Sequence, residues 1–166
     1  MTPEQLSRVR GSLLGLAVGD AVGARFEGWA TADVLRAYRT PQALVDRVPL
    51  GALHDPDDAA TPIERAAAEL EAQSDPLPHL LYTDDTQMAI GVVEALLEET
   101  LPDEHTYARS FVANYQAWRG YGAGTRVTID CLDSGMKPVD AATIMFSDGS
   151  YGNGAAMRVA PIGVRF

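Results

Sequence analysis

The sequence predicts an all-α domain. Three observations carry that reading. Apolar residues recur at helical spacing in several segments, no run of alternating β-branched residues exceeds a few positions, and Thr, Pro and Gly stand where those segments begin and end. With 166 residues, 46% of them apolar, the chain reads as a single domain spanning residues 1–166. A chain of this size can bury roughly two-thirds of its unfolded surface. The balance of 13 basic to 23 acidic residues gives a net charge of −10. That argues against a surface that tracks nucleic-acid phosphates, which needs Lys and Arg. The single cysteine, Cys131, excludes a disulfide framework and reads as a small buried hydrophobe. Neither a leader-like start nor a membrane-length apolar run is present, so the expectation is a cytoplasmic protein with no membrane partner.

Residues 4–24 read as the first helix. Leu6, Val9, Leu13, Leu16 and Ala17 make an apolar face, while Gly11, Gly15, Gly19 and Gly23 recur every fourth residue as a second stripe. Each glycine costs a helix about 1 kcal/mol relative to alanine. Four on one face therefore predict another helix backbone packed close against them. Asp20 continues the line of Leu13, Leu16 and Ala17, which turns a carboxylate towards the interior. It is either satisfied there by backbone donors or supports a metal site nearby. Glu27, taken alone, is a surface glutamate at a helix exit. Thr31 then caps a short helix through Tyr38.

From about residue 40 to 78 the composition changes. This stretch holds six prolines (Pro41, Pro49, Pro56, Pro62, Pro76 and Pro78), the acidic cluster at Asp55, Asp57 and Asp58, and one Ala/Glu-rich helix over about 62–73. It reads as a surface excursion of the same domain, and Asp57 and Asp58 as solvated charge. Then comes Tyr82-Thr83-Asp84-Asp85-Thr86-Gln87-Met88, followed by an apolar run. Thr83 is placed to cap a helix over 84–99, with Asp84 and Asp85 in its first turn, where the helix dipole favours negative charge. Met88, Val92, Ala95 and Leu96 line one side and Ile90, Val93 and Leu97 another, so the helix should be buried on most of its surface. Two readings of the carboxylate pair stand: helix capping, or a hard-cation site in which carboxylate and hydroxyl oxygens face Mg²⁺ or Mn²⁺.

A further amphipathic helix is predicted over 103–119, with Tyr107, Phe111, Tyr115 and Trp118 as an aromatic core stripe. Arg119 to Thr125 forms a glycine-rich loop. The segment before it is helical, so it fails the strand context of a dinucleotide fold, although its N–H groups could cradle a phosphate. Short helices are predicted over 125–134 and 138–146. A second glycine-rich turn, Ser150 to Gly154, runs into a final helical segment. His54, His79 and His105 have no zinc spacing, and no Gly-x-Ser-x-Gly elbow is present.

Three blocks then resemble one family. Gly11–Glu27 (GSLLGLAVGDAVGARFE), Tyr82–Met88 (YTDDTQM) and Ser150–Gly163 (SYGNGAAMRVAPIG) are similar, in order, to the ADP-ribosylglycohydrolase family. That family includes the dinitrogenase reductase-activating glycohydrolases and the ADP-ribosyl-acceptor hydrolases. The block Arg119–Gly124 (RGYGAG) supports the match and is closest to the branch acting on O-linked ADP-ribose. The resemblance implies a compact orthogonal helical globule around a two-metal centre of Mg²⁺ or Mn²⁺. It implies hydrolysis of the glycosidic bond between ADP-ribose and an acceptor. It casts Thr83, Asp84 and Asp85 as metal ligands and Glu27 and Asp85 as the catalytic carboxylates. Gly122, Ser150, Tyr151, Gly152 and Asn153 match loops that hold ADP-ribose, and Asp20 matches a supporting aspartate behind the metal ligands. A second Asp-x-Asp-Thr-type ligand group of the family is absent. The resemblance therefore implies an N-terminal portion of the fold, incomplete at its C-terminal side: a fragment, a truncated product, or a subunit completed by a second copy or a complementing half. The alternative is a non-catalytic ADP-ribose-binding or interaction module.

Overall fold

The computed structural model describes residues 1–37 and 82–166. Tyr38 and the Pro/Asp-rich excursion at about 40–78, with Asp57, Asp58 and the helix expected near 62–73, lie outside the described residues. The described chain contains helices α1 (Pro3–Gly23), α2 (Thr31–Ala37), α3 (Asp84–Glu98), α4 (Glu104–Asn114), α5 (Ala123–Asp133), α6 (Pro138–Thr143), α7 (Gly154–Met157) and α8 (Ala160–Arg165). Short 3₁₀ turns occupy Ala24–Phe26 and Ala117–Arg119, and the described residues include no β-strand. The all-α expectation holds.

Helix α3 is the central element. Thr86, Gln87, Met88, Ala89, Gly91, Val92, Ala95 and Leu96 are all buried along it. It packs most extensively on α4 and also touches α1, α7 and α8. The close approach of α4 needs a glycine. A Cβ at Gly91 would sit 3.0 Å from the Phe111 ring, and the buried Ser110 hydroxyl donates to the Gly91 carbonyl at 2.8 Å. The aromatic part of the core gathers Met88, Tyr121 and Ile129, with Phe111, Val112, Tyr115 and Met157 packed around them.

Helix α1 begins as its sequence dictates. Pro3 stands in the first turn, and Thr2 and Gln5 close a reciprocal capping box, with the Thr2 N–H donating to Gln5 Oε1 at 2.8 Å and the Gln5 N–H to Thr2 Oγ1 at 3.2 Å. Its interior departs from expectation. None of its residues is buried, and Leu6, Val9, Leu13, Leu16 and Ala17 are only half-buried. No described atom lies within 4 Å of a Cβ built at Gly11, Gly15, Gly19 or Gly23. The stripe is therefore not a close helix–helix seam within the described chain. Gly15, Gly19 and Gly23 line an open cleft instead.

The helix expected over 103–119 ends early, at Asn114, and Tyr115 is extended (φ −63°, ψ 126°). Gln87 Nε2 donates to the Asn114 carbonyl at 2.8 Å, and the chain turns so that Tyr115 packs edge-on against Tyr121, with ring centroids 4.8 Å apart. The aromatic stripe is thus split. Tyr107 and Phe111 stack on α4, while Tyr115 and Trp118 leave it. Gly120 closes this turn at φ 85°, a left-handed value that suits glycine. Helix α5 starts two residues before the predicted 125, and α6 stops three residues short of 146. The final segment is two helices broken at Arg158 and Val159, since Pro161 opens α8. None of the described helices is long and apolar enough to cross a membrane.

Candidate active site

The site is built where the C-terminal part of α1 meets the N-terminus of α3. Thr83 is the N-cap residue of α3, in extended conformation, but its own side chain accepts no capping hydrogen bond. The cap comes from Asp20, 63 residues earlier. Asp20 Oδ2 accepts from the Thr83 N–H at 2.8 Å and the Thr86 N–H at 3.0 Å. The Thr86 hydroxyl donates to the same oxygen at 2.5 Å, and the Thr83 hydroxyl donates to Asp20 Oδ1 at 2.6 Å. The aspartate that the helical spacing turns inwards is thereby satisfied by two amides and two hydroxyls of α3.

On the other side, Tyr82 is held by the loop that follows α4. The Arg119 guanidinium lies 3.5 Å from the Tyr82 ring centroid and 3.8 Å from that of Trp118, and it donates to the Tyr82 carbonyl at 2.8 Å. Only 8% of Arg119 is exposed, a burial that suits a flat, weakly hydrated cation between aromatic faces. The Tyr82 hydroxyl donates to Gln87 Oε1 at 3.0 Å. The entry to α3 is fixed from both sides.

Asp20, Glu27, Thr83, Asp85 and Asn153 line one cleft of about 620 Å³, with Gly15, Gly19 and Gly23 along its wall and Phe26 and Met157 as apolar sides. That volume is in the usual range for small-molecule sites. Asp84 stands beside Asp85 and is not part of the lining. The carboxylates raise one another. Burial pushes the Asp84 carboxyl up to about 6, with the Asp85 charge adding to it, its own backbone N–H opposing, and Glu27 and Asp20 adding smaller amounts. Burial and the Asp20 charge raise Asp85, against a hydrogen bond from Thr83. Glu27 sits at the exposed rim, yet the shielding of its carboxyl, then the charges of Asp85 and Asp20, raise it too. Burial, followed by the Asp84 charge, pushes the Tyr121 hydroxyl up to about 12.

Among the described residues no Lys, Arg or His pairs with Asp20, Glu27, Asp84 or Asp85. Clustered acids with no ion-paired cation among the described residues, and a donor set made wholly of oxygen, fit a hard divalent cation. No group of three or more His, Cys, Asp or Glu side chains among the described residues is already gathered around one metal position. The ligand set among the described residues is thus partial.

Other predicted residues fall elsewhere. Ser150, Tyr151, Gly152 and Gly122 do not line the cleft, and Tyr151 is fully exposed. The Ser150 hydroxyl accepts from the Gly152 N–H at 3.1 Å, so that turn is folded on itself. Of the second glycine turn only Asn153 reaches the cleft, together with Ala156 and Met157 of α7. Arg119, Tyr82 and Tyr121, which hold or abut the acidic turn, were not singled out by sequence reasoning. An arginine directly after Trp118 was the available signal for the first of them.

The class these features define is an all-helical domain in which a threonine and a carboxylate at one helix N-terminus, with a second carboxylate beside them, face a mainly apolar cleft that also carries Asp20, Glu27 and Asn153. The chain belongs to the ADP-ribosylglycohydrolase family, whose model matches residues 1–166. It is 37% identical over 167 residues to human "ADP-ribosylhydrolase ARH3", covering 97% of this chain and 40% of that protein. It is 35% identical to the mouse protein of the same name, with 97% and 39% covered. It is 29% identical over 175 residues to "ADP-ribosylarginine hydrolase Tri1" of Pseudomonas putida (strain GB-1), with 99% and 38% covered. The chain thus spans about 40% of the length of the curated relatives it matches.

Proposed function

We propose that this chain contributes the acid-bearing wall of an ADP-ribosyl hydrolase site, which cleaves the glycosidic bond between ADP-ribose and an acceptor. One observation carries the reading: Glu27 and Asp85 line one cleft and Asp84 stands beside them, all three with raised pKa and with no cationic side chain paired to them among the described residues. Thr83, Asp84 and Asp85 would hold Mg²⁺ or Mn²⁺. The remaining ligands would come from water, a second copy or a complementing half, since three oxygens fall short of the octahedral set such ions prefer. When bound, the cation supplies positive charge to ribose hydroxyl oxygens and acidifies water. Glu27 and Asp85 are the carboxylates that move the proton. Raised pKa values bring both closer to neutrality, where an acid–base group works best. As an oxocarbenium-like state develops at the anomeric carbon, the same carboxylates stabilise its charge. Asn153 faces the cleft from the second glycine turn, and Gly122, Ser150, Tyr151 and Gly152 would meet the ADP-ribose outside its floor.

Titration calorimetry of ADP-ribose into the purified chain, with and without Mg²⁺, tests this reading. The expected result is binding strengthened by the ion and abolished by Asp84→Ala, with the fold retained by circular dichroism. A second reading is an ADP-ribose-binding module without turnover, favoured by the partial ligand set within the described residues. It predicts ADP-ribose affinity that Asp84→Ala leaves nearly intact.

A further inference from the structure

We infer that Arg158 is a positioning residue, and that its task is to hold the cleft-facing Asn153 in register with helix α3. The inference deepens the reading of Asn153 as an ADP-ribose contact and rests on it. Helix α7 is a single turn of four residues, too short to hold its own place. Asn153 is its N-cap residue and lines the cleft, and the Asn153 side chain makes no capping hydrogen bond. That amide is free to meet a ligand, so where it stands depends on what fixes α7.

Two adjacent side chains at the far end of α7 do the fixing. Met157 packs against the cluster of Met88, Tyr121 and Ile129. The Arg158 guanidinium lies 4.8 Å from the Phe111 ring centroid, and its Nη1 donates to Met88 Sδ at 3.5 Å. Met88 is buried on α3, one turn beyond Asp84. The Phe111 ring is itself held, since it abuts Gly91 of α3 and stacks on Tyr107. Arg158 does all this without an acid. Among the described residues no carboxylate pairs with it, and burial is the one cause that lowers its pKa. A half-buried cation with no counter-ion costs stability that a hydrophobic side chain would not. What the guanidinium supplies instead is a flat, rigid plane that stacks on an aromatic face, whereas Met is flexible and Lys is a point charge. The fold thus gives up stability at Arg158 for a fixed register of α7. Arg158 does not line the cleft; it acts through Asn153.

The discriminating experiment is a double-mutant cycle in the full chain, with Arg158→Met, Asn153→Ala and the two combined. ADP-ribose affinity is read by calorimetry with Mg²⁺ present, and melting temperature by circular dichroism. NMR follows amide exchange at Met157, whose N–H donates to the Asn153 carbonyl at 3.0 Å. Arg158→Met should hold or raise the melting temperature, speed exchange at Met157 and weaken ADP-ribose about 10-fold, within the cost of a small misplacement. Asn153→Ala should weaken it about 10-fold through one lost hydrogen bond. The combined variant should lose about 10-fold as well, not the roughly 100-fold of independent contributions. Additive losses overturn the inference, as does unchanged affinity in Arg158→Met. A fall in melting temperature that matches the affinity loss would make Arg158 a packing residue and overturn it too. Arg158→Lys keeps the charge without the plane and should lose affinity like Arg158→Met; full affinity there would refute the role given to the stacked guanidinium. If the unaltered chain binds no ADP-ribose, the reading of Asn153 fails. The hold on α7 is then judged by exchange alone, and unchanged Met157 exchange in Arg158→Met overturns that as well.

Discussion

Helices α1 and α3 carry similar signals in sequence and meet different fates. Both show apolar stripes at helical spacing. Yet α3 buries eight of its residues, and α1 buries none. The difference lies in what each helix is given to pack against. Among the described residues, helix α3 is wrapped by α4, α7 and α8, whereas α1 rests on α3 and α8 and turns Gly15, Gly19 and Gly23 to the cleft. Order at the site therefore flows one way. The rigid entry to α3 is fixed by its own burial and by Arg119, and α1 is joined to it through the bonds of Asp20. One helix is scaffold, and the other is wall.

Core truncation gives the largest effect that could break this contrast. Met88 is 4% exposed, and Leu14 is 65% exposed. Met88→Ala should cost about 2–5 kcal/mol, the range for emptying a well-packed site. Leu14→Ala should stay within about 0.5 kcal/mol, as for a surface change. Urea unfolding of the two variants measures both. Comparable losses would mean that α1 is as much a part of the core as α3.

A smaller effect has opposite sign in the two helices. Gly11 lies in α1, outside the cleft lining, and no described atom is within 4 Å of a Cβ there. Gly11→Ala should stabilise by about 0.5–1 kcal/mol through helix propensity alone. At Gly91 in α3 the same methyl meets Phe111 at 3.0 Å. Gly91→Ala should therefore lose the propensity gain and destabilise by about 1 kcal/mol or more through overpacking. Thermal melts of the pair decide it, and stabilisation by Gly91→Ala would show that α4 can yield.

How much of this was legible in the sequence depends on how local the cause was. The start of α3 at Asp84 and the burial of Met88, Val92, Ala95 and Leu96 were legible, because dipole and periodicity act within one turn, whereas Leu97, expected inward, is exposed. The inward turn of Asp20 was legible from its register. Its four bonds to α3 were not, since no local rule reaches 63 residues. At the glycine stripe no close helix neighbour stands among the described residues, for a related reason: small residues announce close approach or open space equally well, and only the neighbours decide. The end of α4 at Asn114 depends on a side chain of α3, Gln87, and was likewise out of reach. The second glycine turn looked like a continuous cradle, but a local bond from Gly152 to Ser150 folds most of it away from the cleft.

A dependence on pH of similar size tests whether the acidic turn is held against its own repulsion. Asp84 has its carboxyl pushed from 3.8 up to about 6 by burial and the Asp85 charge. Between those values the folded chain binds more protons than the unfolded one, so stability falls as pH rises through the window. Without divalent ions, the unfolding free energy should thus increase from pH 7 to pH 5. Solvent screening of a half-buried group reduces the gain to about 1 kcal/mol. Glu27 and Asp85 are raised too and contribute in the same direction. The opposite slope would mean that these carboxylates find donors or cations among the neighbouring segments. Adding Mg²⁺ should stabilise the charged form and flatten the dependence above pH 6. Asp84→Asn should flatten it without Mg²⁺, because the amide removes the repulsion that the ion would otherwise neutralise. Urea titrations across pH 5–8, with and without Mg²⁺, separate these cases. A slope that Mg²⁺ leaves unchanged but Asp84→Asn removes would place the strain at α3 while denying it a cation, leaving the turn as a cap held under electrostatic load by Asp20 and Arg119.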